Sequence, residues 1–149
     1  MDERLERQRR IVAEHFELEN AHRWAEVVDT FRSPDACFEL VPAGVRLPGK
    51  EGIAAAYHIL STALPDVQIR IVSATDAPGC SVREVVVTGT HQGEYFGLAP
   101  SGHSVRAEMA CFFLFDAVGE LTTERVYFDN ASLLAQMRGE PNAPRGVGL

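Results

Sequence analysis

The chain has 149 residues, 46% of them hydrophobic and 23% charged, with a net charge of -7 at neutral pH. That length and composition give one domain with a single core, and the acidic balance without any basic cluster excludes a nucleic-acid binder, which must neutralise phosphates. No apolar run of about 18 residues or more occurs and no signal-peptide pattern opens the chain, so a soluble cytoplasmic protein is expected.

Asp2 to Glu19 is rich in helix formers, with Leu5, Val12 and Phe16 at helical spacing, which predicts a helix with one buried stripe. Asn20-Ala21-His22 interrupts it. Trp24, Val27, Val28 and Phe31 then mark a shorter helix that ends near Ser33-Pro34, where proline disfavours continuation. Cys37 to Val41 reads as an edge strand before Pro42. After a loop ending at Pro48-Gly49, Ile53, Tyr57, Leu60 and Leu64 put one apolar face on a helix from Glu51 to Leu64, which Pro65 stops. Val67 to Ala74 and Ser81 to Gln92 are predicted strands separated by the turn cluster Asp76-Ala77-Pro78-Gly79.

Leu98 to His103 connects to a long hairpin, Val105–Phe115 and Leu121–Phe128, joined by Asp116 to Glu120. Met109 to Phe115 does not alternate, so both faces of that strand need cover. A short helix opens near Ala131, and Gly139 to Leu149, with three glycines and two prolines, is expected to be a flexible tail after a single domain over 1–138. Helices first, then a meander of strands, is an α+β order. Cys37, Cys80 and Cys111 are odd in number and contain no Cys-x-x-Cys, which suits free buried thiols rather than disulfides or zinc.

Four motifs then stand in order: Pro48-Gly49-Lys50-Glu51-Gly52, Leu64-Pro65-Asp66-Val67, Gly89-Thr90-His91-x-Gly93-Glu94 followed by Pro100-x-Gly102, and Tyr127-Phe128-Asp129 before Leu133-Leu134. Over roughly residues 5–138 this resembles the SnoaL-like polyketide cyclases, a branch of the NTF2-like α+β cone fold. The resemblance implies a strongly curved sheet with N-terminal helices covering a pocket, a homodimer through the convex sheet face, and Asp129 as the acid/base. Many relatives carry a polar residue where this chain has Met109-Ala110-Cys111.

Side chains alternate along a strand, so Asp129, Tyr127, Arg125 and Thr123 share one face, and Phe128, Val126 and Glu124 the other. If the first face lines the pocket, Asp129 is desolvated, its pKa rises and it can trade protons near neutral pH. The competing reading is that Asp129 caps the helix that follows. On the same assumption Arg125 holds a substrate oxygen or instead salt-bridges Asp129, and Tyr127 orients a ligand, the alternatives being a solvated arginine and a core aromatic. His91 is a second acid/base or a histidine satisfied locally. Glu39 and Glu108 are candidates for a second carboxylate. Phe16, Trp24 and Tyr57 are candidate cavity lining, or ordinary core. His15, His22 and His58 show no ligand spacing and are expected to be solvated or local, and His103 a surface turn residue.

The favoured expectation is a cyclase closing a ring by intramolecular aldol condensation on a bulky apolar carbonyl substrate, without cofactor or metal, since there is no Gly-x-Gly-x-x-Gly, phosphate loop or zinc spacing. An epoxide-opening hydrolase or cyclase on the same scaffold needs two inward carboxylates. A non-catalytic binding or dimerisation module is the third reading.

Overall fold

The computed structural model describes residues 2–149. Asp2 caps the first helix, α1 (Glu3–Asn20), accepting the Arg4 amide at 2.9 Å. The buried stripe of α1 is Gln8, Val12, His15, Phe16 and Glu19. Three polar side chains therefore lie on the face that Val12 and Phe16 turn inward. His22 then breaks the helix with a left-handed backbone (φ 57°) and donates from Nε2 to the Val67 carbonyl at 2.6 Å. A short α2 (Trp24–Asp29) follows.

The expected edge strand is half of a small hairpin. β1 (Cys37–Leu40) passes through a 3-10 turn at Val41–Ala43 into β2 (Val45–Pro48), a strand too short to show a period in sequence. α3 (Gly49–Ala63) packs directly on β2: a Cβ at Gly52 would lie 2.4 Å from the Leu47 carbonyl carbon, an approach that only glycine allows. Four longer strands complete the fold, β3 (Gln68–Ala77), β4 (Cys80–Thr90), β5 (Ser104–Phe115) and β6 (Leu121–Tyr127), before α4 (Asn130–Met137).

The six strands form one sheet in the order β2-β1-β6-β5-β4-β3, antiparallel except where β1 runs parallel to β6. This is the α+β arrangement expected. Register partners share a face, so Val85 and Val87 of β4 stand beside Met109 and Ala107 of β5, and Cys111 and Phe113 beside Val126 and Glu124 of β6. That inner face meets the helices in a core built on Val12, Phe16, Val27, Phe31 and Ile53. The outer face of β5 carries Ala110, Phe112 and Leu114, each half-buried.

Two of the sequence motifs are sewn together. Asp66, just beyond α3, accepts the Thr90 amide and hydroxyl, both at 2.7 Å, at the end of β4. Three residues on, a Cβ at Gly93 would sit 1.9 Å from the Thr62 carbonyl oxygen. The tail has polar partners on the sheet. Glu108 on the outer face of β5 accepts the amides of Val147, Gly148 and Leu149 at 2.5, 3.0 and 2.7 Å, and Arg106 donates to the Arg145 carbonyl at 2.6 Å.

Candidate active site

Between α1, α3, α4 and the inner sheet face lies an apolar cavity lined by Phe38, Leu60, Val85, Met109, Phe128 and Leu133 among others. The centre of a water molecule can move through about 100 Å³ of it. Its polar lining includes Glu19, Tyr57 and Glu124, three residues from three different elements. Glu19 lies one helical turn beyond His15 on the buried face of α1; Tyr57 comes from the buried face of α3; Glu124 comes from the inner face of β6, opposite Phe38 and Phe113.

These side chains converge on His15, which is fully buried and packed edge-on against Phe31 and Phe113 at 5.6 and 5.2 Å between ring centres. The Thr30 hydroxyl donates to the Val27 carbonyl at 2.6 Å, so at 2.9 Å from His15 Nδ1 it can only accept, and Nδ1 carries a proton. His15 Nε2 lies 2.5 Å from Glu19 Oε1, 2.9 Å from the Tyr57 hydroxyl and 3.7 Å from Glu124 Oε1. The Tyr57 hydroxyl donates to Glu124 Oε2 at 2.5 Å.

Burial alone would lower the imidazole pKa, but the charge of Glu19 and the contact with Glu124 outweigh it and push His15 up to about 10. Burial raises the Glu19 carboxyl, and the positive imidazole only partly opposes that. Burial and the neighbouring Glu124 charge also hold the Tyr57 phenol well above its ordinary value. Glu19 Oε1 is close to Nε2 yet receives no properly aligned hydrogen bond and is out of contact with solvent.

His15, Glu19 and Glu124 are also the one group among the described residues whose ligand atoms, all within 4.8 Å of one another, could hold a metal ion. Ligand bonds of about 2.0–2.2 Å at tetrahedral angles would set neighbouring donors roughly 3 Å apart or more. The 2.5 Å contact between His15 and Glu19 is too short for two ligands of one such ion.

The residues singled out in sequence divide cleanly. Phe16 and Tyr57 line the cavity; Trp24 backs Tyr57, stacked at 5.7 Å. Asp129 lies outside the cavity, exposed, as the N-cap of α4, accepting the Ser132 amide at 3.0 Å and hydroxyl at 2.5 Å. Those bonds lower its pKa, the reverse of the desolvated acid expected. The face assignment of β6 is inverted: Glu124 and Val126 point in, while Arg125 and the 44% exposed Tyr127 point out.

The parallel register therefore places Arg125 against Glu39 on the outer face, Nε to Oε2 at 2.6 Å, which lowers the Glu39 pKa. Glu108 is outside too, and the tail amides bring its carboxyl down to about 2. His91 is buried but not among the cavity-lining residues; its Nδ1 accepts from Ser101, at 2.9 Å from the hydroxyl, while Nε2 has no partner.

His15, Glu19 and Glu124 are the polar groups that sequence reasoning passed over. The signal was present: His15 and Glu19 continue the Val12 and Phe16 stripe, and Glu124 alternates with Val126 and Phe128, the apolar face of its strand.

A family model, SnoaL-like polyketide cyclase, matches residues 8–137. The chain belongs to the SnoaL-like polyketide cyclase family. Among solved structures, a candidate SnoaL-like polyketide cyclase from Jannaschia sp. CCS1 superposes with a TM-score of 0.85 at 17% identity, covering 95% of this chain and 98% of that one. A protein of ketosteroid isomerase-like fold from Catenulispora acidiphila gives 0.73 at 21% identity over 88% and 93% of the two chains. SalBIII, an epoxide hydrolase/cyclase-like enzyme of pyran ring formation in salinomycin, gives 0.70 at 19% over 85% and 93%. These likenesses establish the NTF2-like cone as this family member's fold. No curated protein is similar enough to count as a relative. No helix among the described residues is long and apolar enough to cross a membrane.

Proposed function

We propose that this SnoaL-like protein is a cyclase that closes a ring on an apolar carbonyl compound by intramolecular aldol addition, with Glu124, Tyr57, His15 and Glu19 as its proton-handling end. One observation carries the reading: four buried ionisable side chains meet at one end of a cavity whose remaining walls are largely apolar. A carboxylate there takes a proton from the carbon beside one carbonyl. The freed electron pair attacks the second carbonyl carbon, and the cluster returns the proton to the new alkoxide oxygen. The imidazolium of His15 opposes the rise that burial imposes on the Glu19 carboxyl. Asp129 has no part in this scheme.

A second reading, epoxide opening, is favoured by the same pair of inward carboxylates. Glu19 and Glu124 meet the requirement that Asp129 with Glu39 or Glu108 does not, one supplying a proton to the epoxide oxygen and the other taking one from the attacking hydroxyl or water.

The test uses 2,6-heptanedione, a small diketone able to close on itself, with ring closure followed by NMR. Glu124→Gln should slow turnover by about a hundredfold or more, the usual worth of a general acid or base, and Asp129→Asn should leave it within about threefold. The reverse pattern would return the catalytic role to Asp129. Closure of an epoxy alcohol but not of the diketone would select the second reading.

A further inference from the structure

We infer that the ligand of this cavity is a compact, single-ring-sized apolar molecule whose inner end is a hydroxyl, of enol or phenol type, donating its hydrogen bond to the Glu19–Glu124 pair. The inference rests on the cavity being the binding site proposed above, and it narrows the substrate class.

Size comes first. About 100 Å³ is open to water centres, where pockets for drug-sized ligands run to roughly 300–1,000 Å³ and an apolar cavity of about 150 Å³ in another protein takes benzene. The space is no larger than that benzene site, so one ring is about the most it holds, and the bulky substrate expected from sequence gives way to a smaller one.

Polarity comes second. The polar lining gathers at one end, and the Tyr95 hydroxyl is committed to Asn130 Oδ1 at 2.7 Å. At the inner end the donors are also committed. His15 Nδ1–H serves Thr30, Tyr57 O–H serves Glu124 Oε2, and Nε2 faces Glu19 and the Tyr57 oxygen. The group left without an aligned partner is an acceptor, Glu19 Oε1, on a side chain 4% exposed. A ligand carbonyl finds no free donor there, whereas a hydroxyl supplies the missing bond to the Glu19 oxygen.

The chemistry follows from this. The enol of a dicarbonyl compound is its nucleophilic form, and bound in this way its O–H proton passes to the carboxylate as the C=C electron pair forms the new carbon–carbon bond. The proton then goes to the oxygen of the attacked carbonyl.

Binding of 4-ethylphenol, 4-ethylanisole, 4-methylacetophenone and 4-ethyltoluene to the full chain tests this, read by the fluorescence of Trp24, the one tryptophan, which stacks on Tyr57. The phenol should bind at least roughly tenfold more tightly than the ether or the ketone, the factor one hydrogen bond to a charged group supplies. Glu19→Gln should reduce that preference to within about threefold and improve the ketone, because the amide offers a donor, while 4-ethyltoluene binding stays unchanged and reports an intact cavity. Glu124→Gln serves as the second variant if Glu19→Gln does not fold. Equal or tighter binding of the ketone by the wild-type protein, or a preference untouched by both variants, overturns the inference. So does zinc binding that raises the melting temperature and is lost in Glu19→Gln, because the cluster would then hold a cation. A phenol preference without diketone turnover would remove the cyclase reading and leave the inference standing.

Discussion

His15 is the side chain on which the site turns. A histidine buried among Phe16, Phe31 and Phe113 should lose its charge; two carboxylates reverse that. Because its folded pKa of about 10 lies above the ordinary 6.5, the folded state holds this proton more tightly than the unfolded chain does. The resulting stability is complete below pH 6.5 and is lost as the pH climbs through 10. Glu19, raised from 4.5, acts in the same direction, losing its contribution upward from that value. The melting temperature should therefore fall between pH 7 and 10, and the fall should be shallower in His15→Gln. Equal slopes for the two proteins would mean that His15 is neutral.

At the scale of the element, β6 shows what a sequence reveals and what it conceals. The strand, its hairpin with β5 and the alternation of its side chains were all legible from Val105 to Phe128. The sense of the alternation was not, because one face offered Asp129, Tyr127 and Arg125, which look catalytic, and the other offered Phe128, Val126 and Glu124. The core takes the apolar face, and Glu124 goes in with it. The cap alternative for Asp129 was also legible, since one carboxylate can satisfy a helix amide without any pocket. β2 escaped notice through brevity, and the pairing of Glu108 with the tail because its contacts span about 40 residues of chain.

The Gly89-Thr90-His91-Gln92-Gly93 motif works at this scale too, as a seam between β4 and the end of α3. Gly93→Ala should destabilise the fold by about 1–3 kcal/mol in urea titration, since its Cβ would strike the Thr62 carbonyl oxygen. A neutral result would mean that the seam gives way easily.

For the whole molecule, the helices cover one face of the sheet, and the other is left with Phe112 and Leu114 half-buried beside the exposed Tyr127. Phe112 and Tyr127 pack edge to face at 5.6 Å. We propose that a second copy covers this patch. Sedimentation should then give about twice the 16.4 kDa chain mass, and Phe112→Glu should return it to 16.4 kDa. A wild-type monomer would contradict the pairing without touching the cavity.

The cavity account itself stands on a positive charge held beside two buried carboxylates. NMR of the His15 ring nitrogens across pH measures that charge directly. The account predicts protons on both nitrogens at neutral pH, with deprotonation near 10, shifted downward in Glu124→Gln. A His15 that carries a single proton at pH 7 and titrates at or below the ordinary 6.5 would contradict it.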